Sequence, residues 1–172
     1  KICVPIVGTT GEEILDAAED IAGTAADIVE WRADWYEDIF RFDRTKETLA
    51  YLRSVLGDIP LLFTFRTAGE GGARAVEKDE YVELNRKICG TGMADLVDVE
   101  AFTGDEAVAD VIRTAHENGV RVIGSNHDFQ KTPGKDEILS RLRRIQEMGA
   151  DIPKIAVMPR SKKDVLIHLE AT

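Results

Sequence analysis

The stretch DIVEWRAD (27–34) sets charged side chains at alternate positions of what otherwise reads as a strand. Glu30, Arg32 and Asp34 share one parity, and the two-residue period of a strand puts them on a single face. The same pattern returns along the chain. Thr64 and Arg66 share a parity at the end of PLLFTFR (60–66), as do Asp98 and Glu100 in DLVDVE (95–100). Ser125 and His127 do so at the end of VRVIGSN (120–126), and Lys154 alternates with Ala156 and Met158 in IPKIAVM (152–158). With ICVPIV (2–7) these make six short strand candidates, separated by amphipathic stretches near 11–23, 44–57, 77–90, 104–118, 135–148 and 161–171. Thr10, Asp43 and Thr103 precede helical stretches with acidic first turns, and Gly119 and Gly149 stand where helices should end.

Six βα units in succession imply parallel strands with right-handed crossovers. They can form an open doubly wound sheet or a (β/α)8 TIM-type barrel. Polar residues gathered on one strand face, toward the C-terminal ends, are what the mouth of a barrel requires. The first βα turn, VGTTGEE, lacks G-x-G-x-x-G, which argues against a dinucleotide fold. The expected architecture is therefore a single barrel domain over 1–172. With strand starts about 25 to 35 residues apart, eight units would need roughly 240 residues, near the usual barrel length. Only about six fit, so the barrel is expected to be incomplete, with the last two βα units missing and two strand edges open.

Composition narrows the function. The 172 residues are 44% hydrophobic, enough for one core, and 32 acidic against 22 basic side chains give a net charge of −10. That excludes nucleic acid and acidic membranes as natural partners. No stretch reaches the ~20 apolar residues of a membrane span. Cys3 and Cys89 form no CxxC pair, and a cytoplasmic setting is expected. The chain opens directly on an apolar strand, and the native N-terminus is expected upstream.

Lys154, in DIPKIAVMP (151–159), admits two readings: a side chain snorkelling to water from a strand entrance, or an amine held neutral for attack on a carbonyl. Around it the strand ends gather Glu30, Arg32, Arg66, Glu100 and His127, with Glu70 in the glycine-rich loop AGEGG (68–72). Arg32 and Arg66 offer planar forks for a carboxylate or hydroxyls, or else pair with Glu30 and Glu100. His127 is either a satisfied core histidine or a proton shuttle. The histidines lack metal-ligand spacing, and no Gly-x-Ser-x-Gly elbow occurs. Lysine, histidine and carboxylate remain, a set suited to imine formation and proton transfer beside a carbonyl.

EWRAD (30–34), LLFTFR (61–66) with AGEGG behind it, VDVEAFTG (97–104), SNHDFQKTP (125–133) and DIPKIAVMP (151–159) together resemble the type I 3-dehydroquinate dehydratases, in order along the whole chain. The resemblance implies a (β/α)8 barrel that dehydrates 3-dehydroquinate to 3-dehydroshikimate in the shikimate pathway of aromatic amino-acid biosynthesis, with no cofactor and no metal. It implies that Lys154 forms the Schiff base, His127 is the general acid and base, and Glu70 supports the histidine. Glu30, Arg32 and Arg66 would hold the substrate. A homodimer is expected. The family continues through two further βα units, bearing another arginine and a closing loop with serine and glutamine, whereas this sequence stops at HLEAT (168–172). That puts the activity of the chain in question and leaves two rivals: an inactive remnant persisting as a homo-oligomer, and a different Schiff-base barrel of aldolase type.

Overall fold

The computed structural model describes all residues, 1–172. Six strands, β1 (Cys3–Ile6), β2 (Ile28–Arg32), β3 (Leu61–Thr64), β4 (Leu96–Glu100), β5 (Arg121–Asp128) and β6 (Ile152–Val157), alternate with helices. The helices are α1 (Gly11–Ala22), α2 (Phe42–Leu56), α3 (Lys78–Cys89), α4 (Asp105–Glu117), α5 (Lys135–Glu147) and α6 (Lys162–Ala171). Strand order is β1-β2-β3-β4-β5-β6 and every pairing is parallel. A dinucleotide-type sheet would reverse its order at a switch point. This sheet never does, and it is an incomplete TIM-barrel-like half-barrel, as the alternating polar residues predict.

The two faces of the sheet have different chemistry. Val29, Trp31, Phe63, Phe65, Val97, Val99 and Val122 point toward the helices and join a core of 30 buried residues, against only three, Leu62, Leu96 and Ile123, in the cluster that floors the inner face. Most of the hydrophobic stabilisation therefore lies between sheet and helices. The inner face above that floor is free to be polar.

Helix ends follow the sequence in part. Thr10 caps α1 with a full capping box: its side chain accepts from Glu13 N–H, and the Glu13 carboxylate accepts from Thr10 N–H. Asp43 lies two residues past the capping position, which Arg41 takes before α2 starts at Phe42, so it acts only as an acidic first-turn residue. Thr103 also differs from expectation. Its hydroxyl donates to the Glu100 carbonyl, and Gly104 takes the N-cap position of α4. Gly119 (φ 73°) and Gly149 (φ 98°) adopt the left-handed backbone that ends α4 and α5. No helix is long and apolar enough to cross a membrane.

Gly124 is where β5 meets α5 most closely: a Cβ there would lie 2.4 Å from Ile145 Cγ2 and 2.8 Å from Ala150 Cβ. Overpacking of this kind costs about 1–3 kcal/mol. Gly124→Ala is expected to lose stability in that range by urea titration, and a loss under ~0.5 kcal/mol would contradict the packing described.

Candidate active site

The inner face of the half-barrel carries the polar residues singled out above. Register sets Thr64 beside Arg32 and Asp98, Glu100 beside Ser125, and Ser125 beside Lys154. Arg66, just past β3, sends its side chain inward among these groups and is only 4% exposed. Its guanidinium donates to Asp98 Oδ1 at 2.7 Å, to Glu100 Oε1 at 3.1 Å and to Ser125 Oγ at 3.0 Å. A buried guanidinium between two buried carboxylates keeps its proton more tightly than usual, because burial disfavours its charge less than Asp98 and Glu100 favour it.

Asp98 joins the remaining groups to this cation. It is 1% exposed, and burial alone would raise its pKa. Arg66, Lys154 and the Ser125 hydroxyl reverse that and hold it below the usual carboxylate range. Ser125 Oγ donates to Oδ1 at 2.5 Å, and Lys154 Nζ donates to Oδ2 at 3.2 Å. Glu100 goes the other way: burial, reinforced by nearby Glu70, raises its pKa despite bonds from Thr67 and the charge of Arg66.

Lys154 is neither deeply buried nor adrift. Its side chain is 38% exposed and ion-paired with Asp98. The apolar run around it suggests a sheltered amine, and on the sheet it stands beside Ser125 of β5 with Asp98 at its nitrogen. His127 lies on the same face, two residues beyond the partner of Lys154, which puts the two Cα atoms about 8 Å apart by strand rise and spacing.

The loop after β3 fixes the histidine. Thr67 donates its N–H and its hydroxyl to the Glu100 carboxylate, both at 2.8 Å, which anchors the 3₁₀ turn Ala68–Glu70. Glu70 Oε2 then accepts from the His127 backbone N–H at 3.1 Å and lies 2.8 Å from His127 Nδ1. The contact to Glu70 is made through Nδ1, and Nε2 makes no hydrogen bond with the protein. Gly71 (φ 83°) leaves the space that the Phe129 ring fills, and that ring stacks on His127. Gly72 passes so close to the Arg66 carbonyl that a Cβ would sit 1.9 Å from its oxygen.

Glu30 and Arg32 occupy the other flank. Glu30 Oε1 accepts from Thr64 Oγ1 at 2.7 Å. Arg32 does not pair with Glu30; it forms a two-pronged bond with Asp34, at 2.9 and 3.0 Å. Asp34 is 1% exposed, and although burial would raise its pKa, Arg32 and the backbone N–H groups of Ala73 and Arg66 hold it low. All six candidate residues thus meet on one face. Asp98, Ser125, Thr64 and Asp34, already marked by strand parity in the sequence, lie among them, while Glu70 enters from the loop after β3.

The type I 3-dehydroquinase family model matches residues 2–172. The 3-dehydroquinate dehydratase of Clostridioides difficile (strain 630) is 53% identical over 172 residues, which are 100% of this chain and 68% of that protein. A crystal structure of the type I 3-dehydroquinate dehydratase of Clostridium difficile, with covalently modified comenic acid, superposes with a TM-score of 0.99 at 53% identity, covering 100% of this chain and 68% of that one. The 3-dehydroquinate dehydratase of Geobacillus kaustophilus HTA426 gives a TM-score of 0.96 at 41% identity, covering 99% of this chain and 66% of that one.

The opposed shifts of Asp98 and Glu100 predict how acid acts on the fold. Because the folded pKa of Asp98 is depressed, its stabilisation is present above the ordinary aspartate value and is lost as pH falls through the lower folded value. The raised Glu100 contributes with the opposite sign, its share being full at low pH and lost as pH rises through its folded value. Urea unfolding of Asp98→Asn between about pH 5 and about pH 2.5 is expected to depend less steeply on pH than that of the parent. An unchanged slope would mean that Asp98 carries no such linkage.

Proposed function

Because this chain belongs to the type I 3-dehydroquinase family, we propose that it is a lyase that dehydrates 3-dehydroquinate to 3-dehydroshikimate through a lysine Schiff base. The observation that carries this reading is the shared inner face on which Lys154 meets Asp98 while His127, one strand away, is oriented by Glu70. The family match does not favour an aldolase or an inactive remnant.

The chemistry follows from these positions. His127 takes a proton from the Lys154 ammonium, Nζ attacks the ketone carbon of the substrate, and the carbinolamine hydroxyl leaves as water with the proton returned by His127, giving a protonated imine. That cation draws electrons from the adjacent carbon and acidifies its proton. His127 Nε2 removes the proton while Glu70 on Nδ1 holds the ring in the tautomer and orientation the transfer needs. The electron pair enters the C–N system as an enamine; its return expels the hydroxyl on the next carbon, which leaves as water with the proton held by His127, and hydrolysis of the imine returns Lys154. Glu30 and Arg32, at the open flank, hold substrate hydroxyls and carboxylate. Arg66 belongs to the substrate-holding set from beneath, as the cation that keeps Asp98 and Glu100 aligned.

A homodimer in a cytoplasmic setting completes the proposal. A net charge of −10 with two free cysteines suits a reducing aqueous compartment.

Two assays test the reading. Borohydride added with 3-dehydroquinate should leave a reduced adduct that peptide mass spectrometry maps to Lys154. An adduct on another lysine would refute the assignment. His127→Ala is expected to lower kcat by about 10²–10⁴-fold, and Glu70→Gln by less. Equal losses in the two variants would show that Glu70 does more than orient the ring.

A further inference from the structure

The geometry points to Asp98 as the fixed counter-ion of the Lys154 imine, a charge that keeps the imine protonated while carbon chemistry proceeds. The inference rests on the Schiff-base reading above and adds a residue to it. Among the carboxylates of the site, Asp98 alone pairs with Lys154. It reaches across β5 from β4 to β6, and the strand it crosses presents the short side chain of Ser125 at that level.

The two oxygens of Asp98 have separate partners. Oδ1 accepts from Arg66 and from Ser125, while Oδ2 faces Lys154 Nζ. When Nζ condenses with a ketone the nitrogen remains on the same tether, and a protonated imine carries the same single positive charge as the ammonium it replaces. Asp98 therefore meets an unchanged charge before and after condensation, with no bond to it formed or broken.

The donors on Oδ1 add a second property. A carboxylate held by a guanidinium and a hydroxyl is a poor base, so it attracts the imine proton without taking it. The low pKa of Asp98 accords with this. The proton stays on nitrogen until hydrolysis, and the imine remains an electron sink throughout proton removal by His127. His127 is thereby left as the base of the site, and the anion beside the nitrogen serves only the charge.

The experiment is the pH dependence of borohydride trapping by the full chain with 3-dehydroquinate, since hydride adds to the protonated imine carbon. Asp98→Asn removes the charge and keeps the shape. The pH at which trapping falls off on the basic side is expected to drop by about 1–3 units, the usual effect of losing an opposite charge at this range. Trapping at pH 8 then falls about tenfold or more, with much less change near pH 6. Asp98→Glu keeps the charge one methylene further out and is expected to hold its basic limb within about half a unit of the parent. A Glu variant whose limb drops as far as that expected for Asn overturns the proposal by itself, whether or not the Asn variant folds. A folded Asn variant with the parent's limb overturns it as well. If the parent chain gives no Lys154 adduct at any pH, the Schiff-base reading falls and the counter-ion with it; an adduct with an unmoved limb removes the counter-ion alone.

Discussion

One buried cation organises this molecule. Arg66 lies inside the half-barrel with almost no access to water, and the cost of burying its charge is offset because Asp98 and Glu100 are buried beside it. The guanidinium, with Lys154 and Ser125, holds the Asp98 carboxyl low, and the two carboxylates hold the proton on the guanidinium. The cluster ties the loop after β3 to β4 and β5. From it two chains of contacts lead outward: through Asp98 to Lys154, and through Glu100 and Thr67 to the turn that sets Glu70 against His127. The amine and the imidazole are thus referred to the same point, although they stand on different strands.

This arrangement is possible because stability and chemistry use opposite faces of the sheet. The large core of aromatic and β-branched side chains lies between strands and helices. Trp31, Phe63 and Phe65 alternate with Glu30, Arg32, Thr64 and Arg66, so each strand end has one position for packing followed by one for the site. Charge can accumulate on the inner face without loosening the outer one, and the small cluster of Leu62, Leu96 and Ile123 separates the polar layer from the bottom of the barrel.

Much of this was legible from the chain. Period-2 alternation in DIVEWRAD and DLVDVE defined both the strands and the face that matters, because parity is a backbone property that tertiary context does not alter. Strand and helix limits agree with the structure to within a residue or two, as do the glycine stops at 119 and 149. The partners were harder to read. Arg66 could have paired with either acidic neighbour; that it takes Asp98 and Glu100, while Arg32 turns to Asp34, depends on side-chain reach across strands. Asp98 had the right parity, but nothing in VDVE distinguishes a hub from a bystander. The exposure of Lys154 depends on what stands beside β6, which no local pattern encodes.

The central claim is that Lys154 bonds to the substrate carbonyl carbon with Asp98 at its nitrogen and His127 at the adjacent carbon. A crystal structure of the chain after borohydride reduction in the presence of 3-dehydroquinate tests all three positions at once. The account predicts continuous density from Lys154 Nζ into the ligand, with Asp98 Oδ2 within hydrogen-bonding distance of that nitrogen and His127 Nε2 facing the carbon next to it. A ligand held without a bond to Lys154, or bonded there with His127 turned away, would contradict it.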